Sequence, residues 1–263
     1  MSVSVEEICE YIEDFAPVAW AESWDNVGLQ LGSSKTQVNH LGLALELTAE
    51  VVDWLFSEEI DCLLTHHPLF FRPLKSLRED DPWTQLIVRL IRAEKVVISY
   101  HTNLDAAPGG VTEVLAEALG FKCEKALKPV SPDLPEIGLG RMAYVEFPIS
   151  VSEIARKLAS LIHFPVFTVG PDRKVKRVAI CAGSGADLIP QVLQNGAEAY
   201  ITGEVKHHVA REAELAGLSL VVADHYAMEA YFLRDLRERL AARFPGLKIS
   251  LFRGRSPFHP VTN

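Results

Sequence analysis

A chain of 263 residues, 48% hydrophobic and 23% charged, has the balance of a folded globular protein; a disordered chain could not bury enough apolar surface to offset its ordering entropy. Its formal net charge of −9 repels nucleic acid and anionic lipid, so neither is an expected partner. No apolar run approaches the roughly 20 residues of a membrane-spanning helix. The acidic stretch Met1-Ser2-Val3-Ser4-Val5-Glu6-Glu7 lacks the basic and then apolar run of a secretion signal, and the four scattered cysteines (Cys9, Cys62, Cys123, Cys181) fit reduced, mostly buried thiols, so a cytoplasmic protein is expected.

In chain order, Ser4-Val5-Glu6-Glu7 reads as a capping box that opens a helix with Val5, Ile8, Ile12 and Phe15 on one face and Pro17 at its end. A strand (41–47) leads to a helix begun at Thr48, and the strand Cys62-Leu63-Leu64-Thr65 runs straight into His66-His67-Pro68. Asp81-Pro82 supplies a cap and an N1 proline for the next helix, after which the β-branched run 96–100 ends at His101. Gly109-Gly110 opens a helix that Gly120 closes. Pro129, Pro132 and Pro135 cluster next and read as the connection between two α/β lobes, residues 1–126 and 127–263. The second lobe holds strands at 142–147, near Val166, near Val178, at 199–202 and at 218–223. Helices at 152–162, 187–194 and 207–216 separate them, and a long amphipathic helix ends before Pro245. Lys174, Lys176 and Arg177 alternate as on an edge strand. His40 and His163 read as core histidines satisfied by hydrogen bonds.

The order of elements repeats. Each half runs strand, helix, strand, threonine (Thr65 or Thr202), helix, strand, and then a histidine with a carboxylate four residues on: His101 with Asp105, His225 with Glu229. Six of the nine histidines fall at the two matching places, counting the doublets His66-His67 and His207-His208. The reading is an α/β protein of two lobes with similar three-layer topology, an internal duplication that brings two equivalent strand ends face to face. Imidazole and carboxylate without thiolate suit divalent Zn, Mn, Fe, Co or Ni. Adjacent histidines at a strand end diverge, which lets His66 and His67 serve two ions. A carboxylate bridges such a pair, and Asp105 and Glu229 are the candidates. Two such ions outweigh two carboxylates, so the site would take a small anion even in an acidic protein. His207-His208 divides evenly between site lining and a solvated helix face. Gly183-Ser184-Gly185 reads as a strand-to-helix turn.

At these residues the sequence resembles the GTP cyclohydrolase I type 2 homologues, also called NGG-interacting-factor-three-like dinuclear metal proteins. The resemblance rests on Phe15-Ala16-Pro17, Ala21-Glu22-Ser23-Trp24-Asp25-Asn26-Val27-Gly28-Leu29-Gln30, Thr65-His66-His67-Pro68-Leu69-Phe70-Phe71, His101-Thr102-Asn103-Leu104-Asp105-Ala106-Ala107, Ile201-Thr202-Gly203-Glu204 with His207-His208, and His225-Tyr226-Ala227-Met228-Glu229. It implies metal ligands at His66, His67, Asp105, His225 and Glu229 for two divalent ions, with His101, Glu204, His207 and His208 as possible further ligands or lining. It also implies a metal site in the cleft between the lobes, a toroidal homohexamer, and hydrolysis of a nucleotide or phosphoester; the alternative is a non-catalytic, metal-dependent binding or regulatory hexamer. Glu46 and Asp224 depart from the family pattern: Glu46 is expected outside the metal shell, and Asp224 replaces a glycine beside a ligand. The sequence carries no phosphate-loop or other nucleotide signature.

Overall fold

A computed structural model describes residues 2–260 and divides the chain into two compact units. The first holds the described residues up to Leu104 together with Leu233–Gly254; the second holds Asp105–Phe232 and the described residues from Arg255 to 260.

The first unit begins with β1 (Val3–Ser4) and α1 (Val5–Phe15), whose capping box is complete: Ser4 Oγ accepts from Glu7 N while Glu7 Oε2 accepts from Ser4 N. After β2 (Gly28–Leu31) and the short β3 (Gln37–Val38), which pairs with β1, come β4 (His40–Ala44), α2 (Ala49–Ser57), β5 (Cys62–Thr65), α3 (Pro82–Arg92) and β6 (Val96–Ser99). Thr48 and Asp81 cap α2 and α3 as their positions predict, with Pro82 in the first turn. β4, β5 and β6 are parallel and buried along their whole length, which is why they read as unbroken apolar runs. Leu63 and Val97 face Val51, Val52 and Leu55 of α2 and Leu86, Ile87 and Leu90 of α3. Leu41, Leu43, Leu64 and Ile98 point to the other face and are equally buried.

The chain leaves this unit within α4 (Thr102–Ala106) and continues through α5 (Val111–Ala118), β7 (Lys122–Pro129), β8 (Gly138–Ser150), α6 (Val151–Ile162), β9 (Phe167–Val169), β10 (Lys174–Ser184), α7 (Ile189–Gln194), β11 (Ala199–Gly203), α8 (His207–Leu215), β12 (Ser219–Ala223) and α9 (His225–Ala230). It then returns through α10 (Phe232–Arg243) to β13 (Lys248–Leu251), which pairs in parallel with β4. The second unit's sheet is ordered β7-β8-β10-β11-β12-β9, and the first unit's β13-β4-β5-β6-β2.

The two sheets share one plan. Each unit presents a helix, an antiparallel edge strand, and then three parallel strands joined by two helices: α1, β2, β4, α2, β5, α3, β6 in the first; α6, β9, β10, α7, β11, α8, β12 in the second. The edge strand pairs with the last parallel strand in both. Even the opening is repeated, since Ser150 caps α6 through Glu153 N as Ser4 caps α1 through Glu7 N. The duplicated three-layer α/β architecture is therefore present.

The boundary differs from 126/127. β7 and β8 form a hairpin in the second sheet, and the prolines mark its tip rather than a connection between units. α5 packs on β7, β8 and β10, so residues from Asp105 onward belong with the second sheet. Lys174, Lys176 and Arg177 also lie elsewhere than expected, at the start of β10, an interior strand between β8 and β11. No helix among the described residues is long and apolar enough to cross a membrane.

Candidate metal centre

His66 directly follows β5, and His101 follows β6 after one intervening residue. Parallel neighbours in register end together, so Thr65 pairs with Ser99, Thr65 Oγ1 lies 2.7 Å from Ser99 Oγ, and the histidines beyond them gather at one sheet end. The rings of His66, His67 and His101 form a near-equilateral triangle, with centroids 5.0, 5.4 and 5.5 Å apart. One ring nitrogen of each lies within 4.8 Å of the other two.

Each ring is held at Nδ1. His66 Nδ1 lies 3.1 Å from the Tyr100 carbonyl oxygen, His67 Nδ1 3.1 Å from Glu46 Oε2, and His101 Nδ1 3.0 Å from Asp25 Oδ1. Three acceptors at Nδ1 place a proton there, which in the neutral ring leaves the lone pair on Nε2, the arrangement by which a protein orients imidazoles toward a metal. Asp25 also accepts from Thr102 N at 3.0 Å and from the Thr102 hydroxyl. Burial pushes the Asp25 carboxyl upward, but the hydrogen bond and charge of His101 and the two Thr102 donors outweigh it and bring the group down to about 2. This carboxylate therefore stays ionised at any working pH.

The second unit carries the other expected residues. His225 opens α9, and Asp224 before it is the helix cap: its Oδ1 accepts from Ala227 N at 2.8 Å and its Oδ2 from Ser256 Oγ at 2.7 Å. The departure from glycine at 224 thus has a structural purpose. Four residues on, Glu229 Oε2 approaches His225 Nε2 to 2.9 Å, while Glu204 Oε1 lies 3.3 Å from His225 Nδ1. Glu229 is buried, and Gly183 makes room for it: a Cβ at 183 would collide with Glu229 Oε1 and stand 2.9 Å from its Cδ and 3.3 Å from His225 Nε2. Gly183 also has φ +72°, so it is required twice over.

Asp105 begins this unit's share of α4. Arg141, 1% exposed, donates to the carbonyls of Ala106 and Ala107 at 3.0 Å each, to those of Gly138 and Gly140, and to Glu113 Oε1 at 2.5 Å. Glu113 in turn accepts from Gly109 N. A buried guanidinium thereby fixes the turn that follows Asp105. Burial, and then the charges of Asp105 and Glu229, push the Cys181 thiol up to about 12 and keep it protonated. All four cysteines are free; Cys62 and Cys181 are buried and Cys9 and Cys123 half-buried.

Of the sequence-predicted residues, His66 and His67 come together with His101, and Glu229 with His225 and Glu204. His207 and His208 are exposed on the first turn of α8; the residue that directly follows β11, as His66 follows β5, is Glu204. His40 is the satisfied core histidine expected, between Glu58 O and Ser250 Oγ, but His163 is exposed, ending α6 at φ 54°. Sequence reasoning gave Asp25 no role of its own, although it lies in the Ala21–Gln30 stretch that carries the resemblance. Glu46, expected outside the metal shell, is hydrogen-bonded to His67 Nδ1.

A family model described as Duf34/NIF3 (NGG1p interacting factor 3) matches residues 3–256. A Clostridium perfringens protein called GTP cyclohydrolase 1 type 2 homolog is 31% identical over 243 residues, covering 92% of each chain. The Drosophila melanogaster NIF3-like protein 1 is 31% identical over 244 residues, covering 89% of this chain and 80% of that protein. Among solved structures, a Staphylococcus aureus hypothetical protein is 27% identical with TM-score 0.90, covering 98% of this chain and 99% of the other. Reduced HcgD from Methanocaldococcus jannaschii is 29% identical with TM-score 0.84, covering 97% and 99%.

Proposed function

Because the chain belongs to the Duf34/NIF3 family, we propose that it is a dinuclear metal protein that hydrolyses a nucleotide or other phosphoester. His66, His67, Asp105, His225 and Glu229 would hold two divalent ions, with His101 as a sixth donor and Glu229 as the bridge. The observation that carries this reading is the histidine triangle, in which the Nδ1 of every ring is already engaged by an acceptor. Its donors are imidazole and carboxylate, which accept Zn, Mn, Fe, Co or Ni.

When bound, such ions polarise an anionic substrate oxygen and acidify water at neutral pH. The chain's own groups do the rest. Asp25 and Glu46 keep His101 and His67 in one tautomer and orientation, and the Tyr100 carbonyl does so for His66. Glu204, exposed beside His225 Nδ1, is the carboxylate placed to take up or release a proton at its Oε1. Five or six donors leave two ions with open positions for water and substrate. Several relatives carry the name GTP cyclohydrolase 1 type 2 homolog, which makes a purine nucleotide the first substrate to try. The assembly we propose is a cytoplasmic homohexamer; a monomeric mass by light scattering at micromolar protein would refute it.

The test is turnover on a panel of nucleotides and phosphoesters, with Glu229→Ala as control. Wild-type turnover well above that of the variant supports hydrolysis. Equal background rates from a wild-type protein that retains its metals would favour the other reading, a metal-dependent binding assembly, which the family description's word "interacting" also suggests.

A further inference from the structure

Two large aromatic side chains lie exposed beside the histidine triangle. Trp24 is 55% exposed and Phe71 56%, and their centroids are 5.6 Å apart with planes tilted by 55°. Trp24 also meets His101 edge-on, with centroids 6.0 Å apart. Apolar rings left in water beside a polar site call for an explanation, since scattered surface hydrophobics do not normally converge on one.

These rings are built in. Asn26 Nδ2 donates to the Phe70 carbonyl at 3.0 Å and to Gln30 Oε1 at 2.9 Å, while Gln30 Nε2 donates to Asn26 O at 3.0 Å. The loop carrying Trp24 and the loop carrying Phe71 are thus joined by a side-chain clamp, and Asp25, between Trp24 and Asn26, is anchored by His101 and Thr102. The same short segment orients a candidate metal ligand and holds an aromatic wall next to it. Such preorganisation serves stacking, because the rings need not be ordered when a ligand arrives.

We propose that Trp24 and Phe71 form the notch that receives the planar heteroaromatic ring of the ligand, whose anionic group reaches the histidine triangle. This deepens the metal-hydrolase reading and rests on it only for the anionic end. A flat ring lies against one wall and meets the other edge-on, the two arrangements aromatic pairs favour. A purine or pyrimidine fits this description, and an aliphatic phosphoester does not. Stacking on aromatic side chains discriminates by about tenfold or more per base, as alanine substitution shows elsewhere.

The experiment is calorimetric titration of zinc-loaded full-length protein with guanosine monophosphate and with ribose 5-phosphate, which has the phosphate but no base. Wild type should bind the nucleotide at least tenfold more tightly. Trp24→Leu and Phe71→Leu should each erase most of that gap while metal content and ribose 5-phosphate affinity stay unchanged; both positions are exposed, and circular dichroism verifies the fold. An unchanged gap in both variants overturns the proposal, as does a wild type that binds both probes alike or neither. A change in oligomer mass in the variants also overturns it, since the rings would then belong to a subunit contact. Ribose 5-phosphate affinity that is the same with and without zinc would refute the metal reading of the anionic end, while a ring-dependent gap persisting in that zinc-free protein would leave the notch standing.

Discussion

Replacing Gly183 by alanine separates two effects that coincide at one residue. The backbone there has φ +72°, a conformation that disfavours any L side chain by roughly 1–2 kcal/mol. The added methyl would also displace the Glu229 carboxylate and crowd His225 Nε2 at 3.3 Å. Gly217 is the matched control: it lies in the same unit at φ +77° and has nothing within 4 Å of an added Cβ, so Gly217→Ala carries the backbone term alone. For metal-free protein in a urea titration, Gly217→Ala should lose about 1 kcal/mol and Gly183→Ala about 1–2 kcal/mol more, the added loss reflecting a buried carboxylate forced from its seat. Metal affinity should separate them further. Gly217→Ala should match wild type, while Gly183→Ala should bind zinc about 10–100-fold more weakly by chelator competition, the loss seen when a ligand's support is disturbed. Wild-type zinc affinity in Gly183→Ala would refute the claim that this glycine exists to seat Glu229.

Other parts of the structure give sharper or simpler tests. Arg141→Met strands Glu113 and several carbonyls in a buried site and should cost about 3–5 kcal/mol by chemical denaturation, with faster amide exchange around Ala106 and Ala107. Asp25→Asn removes the carboxylate that orients His101 and should weaken zinc binding by about 10–100-fold with the fold intact by circular dichroism. Glu198 is held below its ordinary pKa first by the backbone N–H groups of Arg177 and Lys176, so its stabilisation is present above about pH 4.5 and fades as the pH falls through its lowered folded value. Glu198→Gln should therefore flatten the loss of stability on acidification, read from urea midpoints between roughly pH 3 and 6.

Much of this was legible in the sequence because the signals are local. The capping box at Ser4, the caps at Thr48 and Asp81, and the apolar runs of β4–β6 each depend on neighbouring residues, and parallel strands announce their own burial. The histidines at the strand ends were readable for the same reason. Pairing that closes over long separations was not. β13 joins β4 from some two hundred residues away, and no local pattern marks it, so the division of the chain near residue 105 and its return at 233 were invisible. The cluster Pro129, Pro132 and Pro135 carries the composition of a linker but forms a hairpin tip. The duplication also has a local signal at the start of the equivalent helices, where Ser4-Val5 with Glu7-Ile8 recurs as Ser150-Val151 with Glu153-Ile154. The supports of the site were hardest to see. Glu46 and Asp25 act through single contacts to His67 and His101, 21 and 76 residues away, and a lone carboxylate in a loop has no periodicity to betray its partner.

The proposed dinuclear centre can be checked by elemental analysis. Protein reconstituted with zinc or manganese and then desalted should retain two equivalents per chain, falling below one when His66 and Glu229 are both replaced by alanine. Less than one equivalent in the wild-type protein would mean that the chain holds no dinuclear centre.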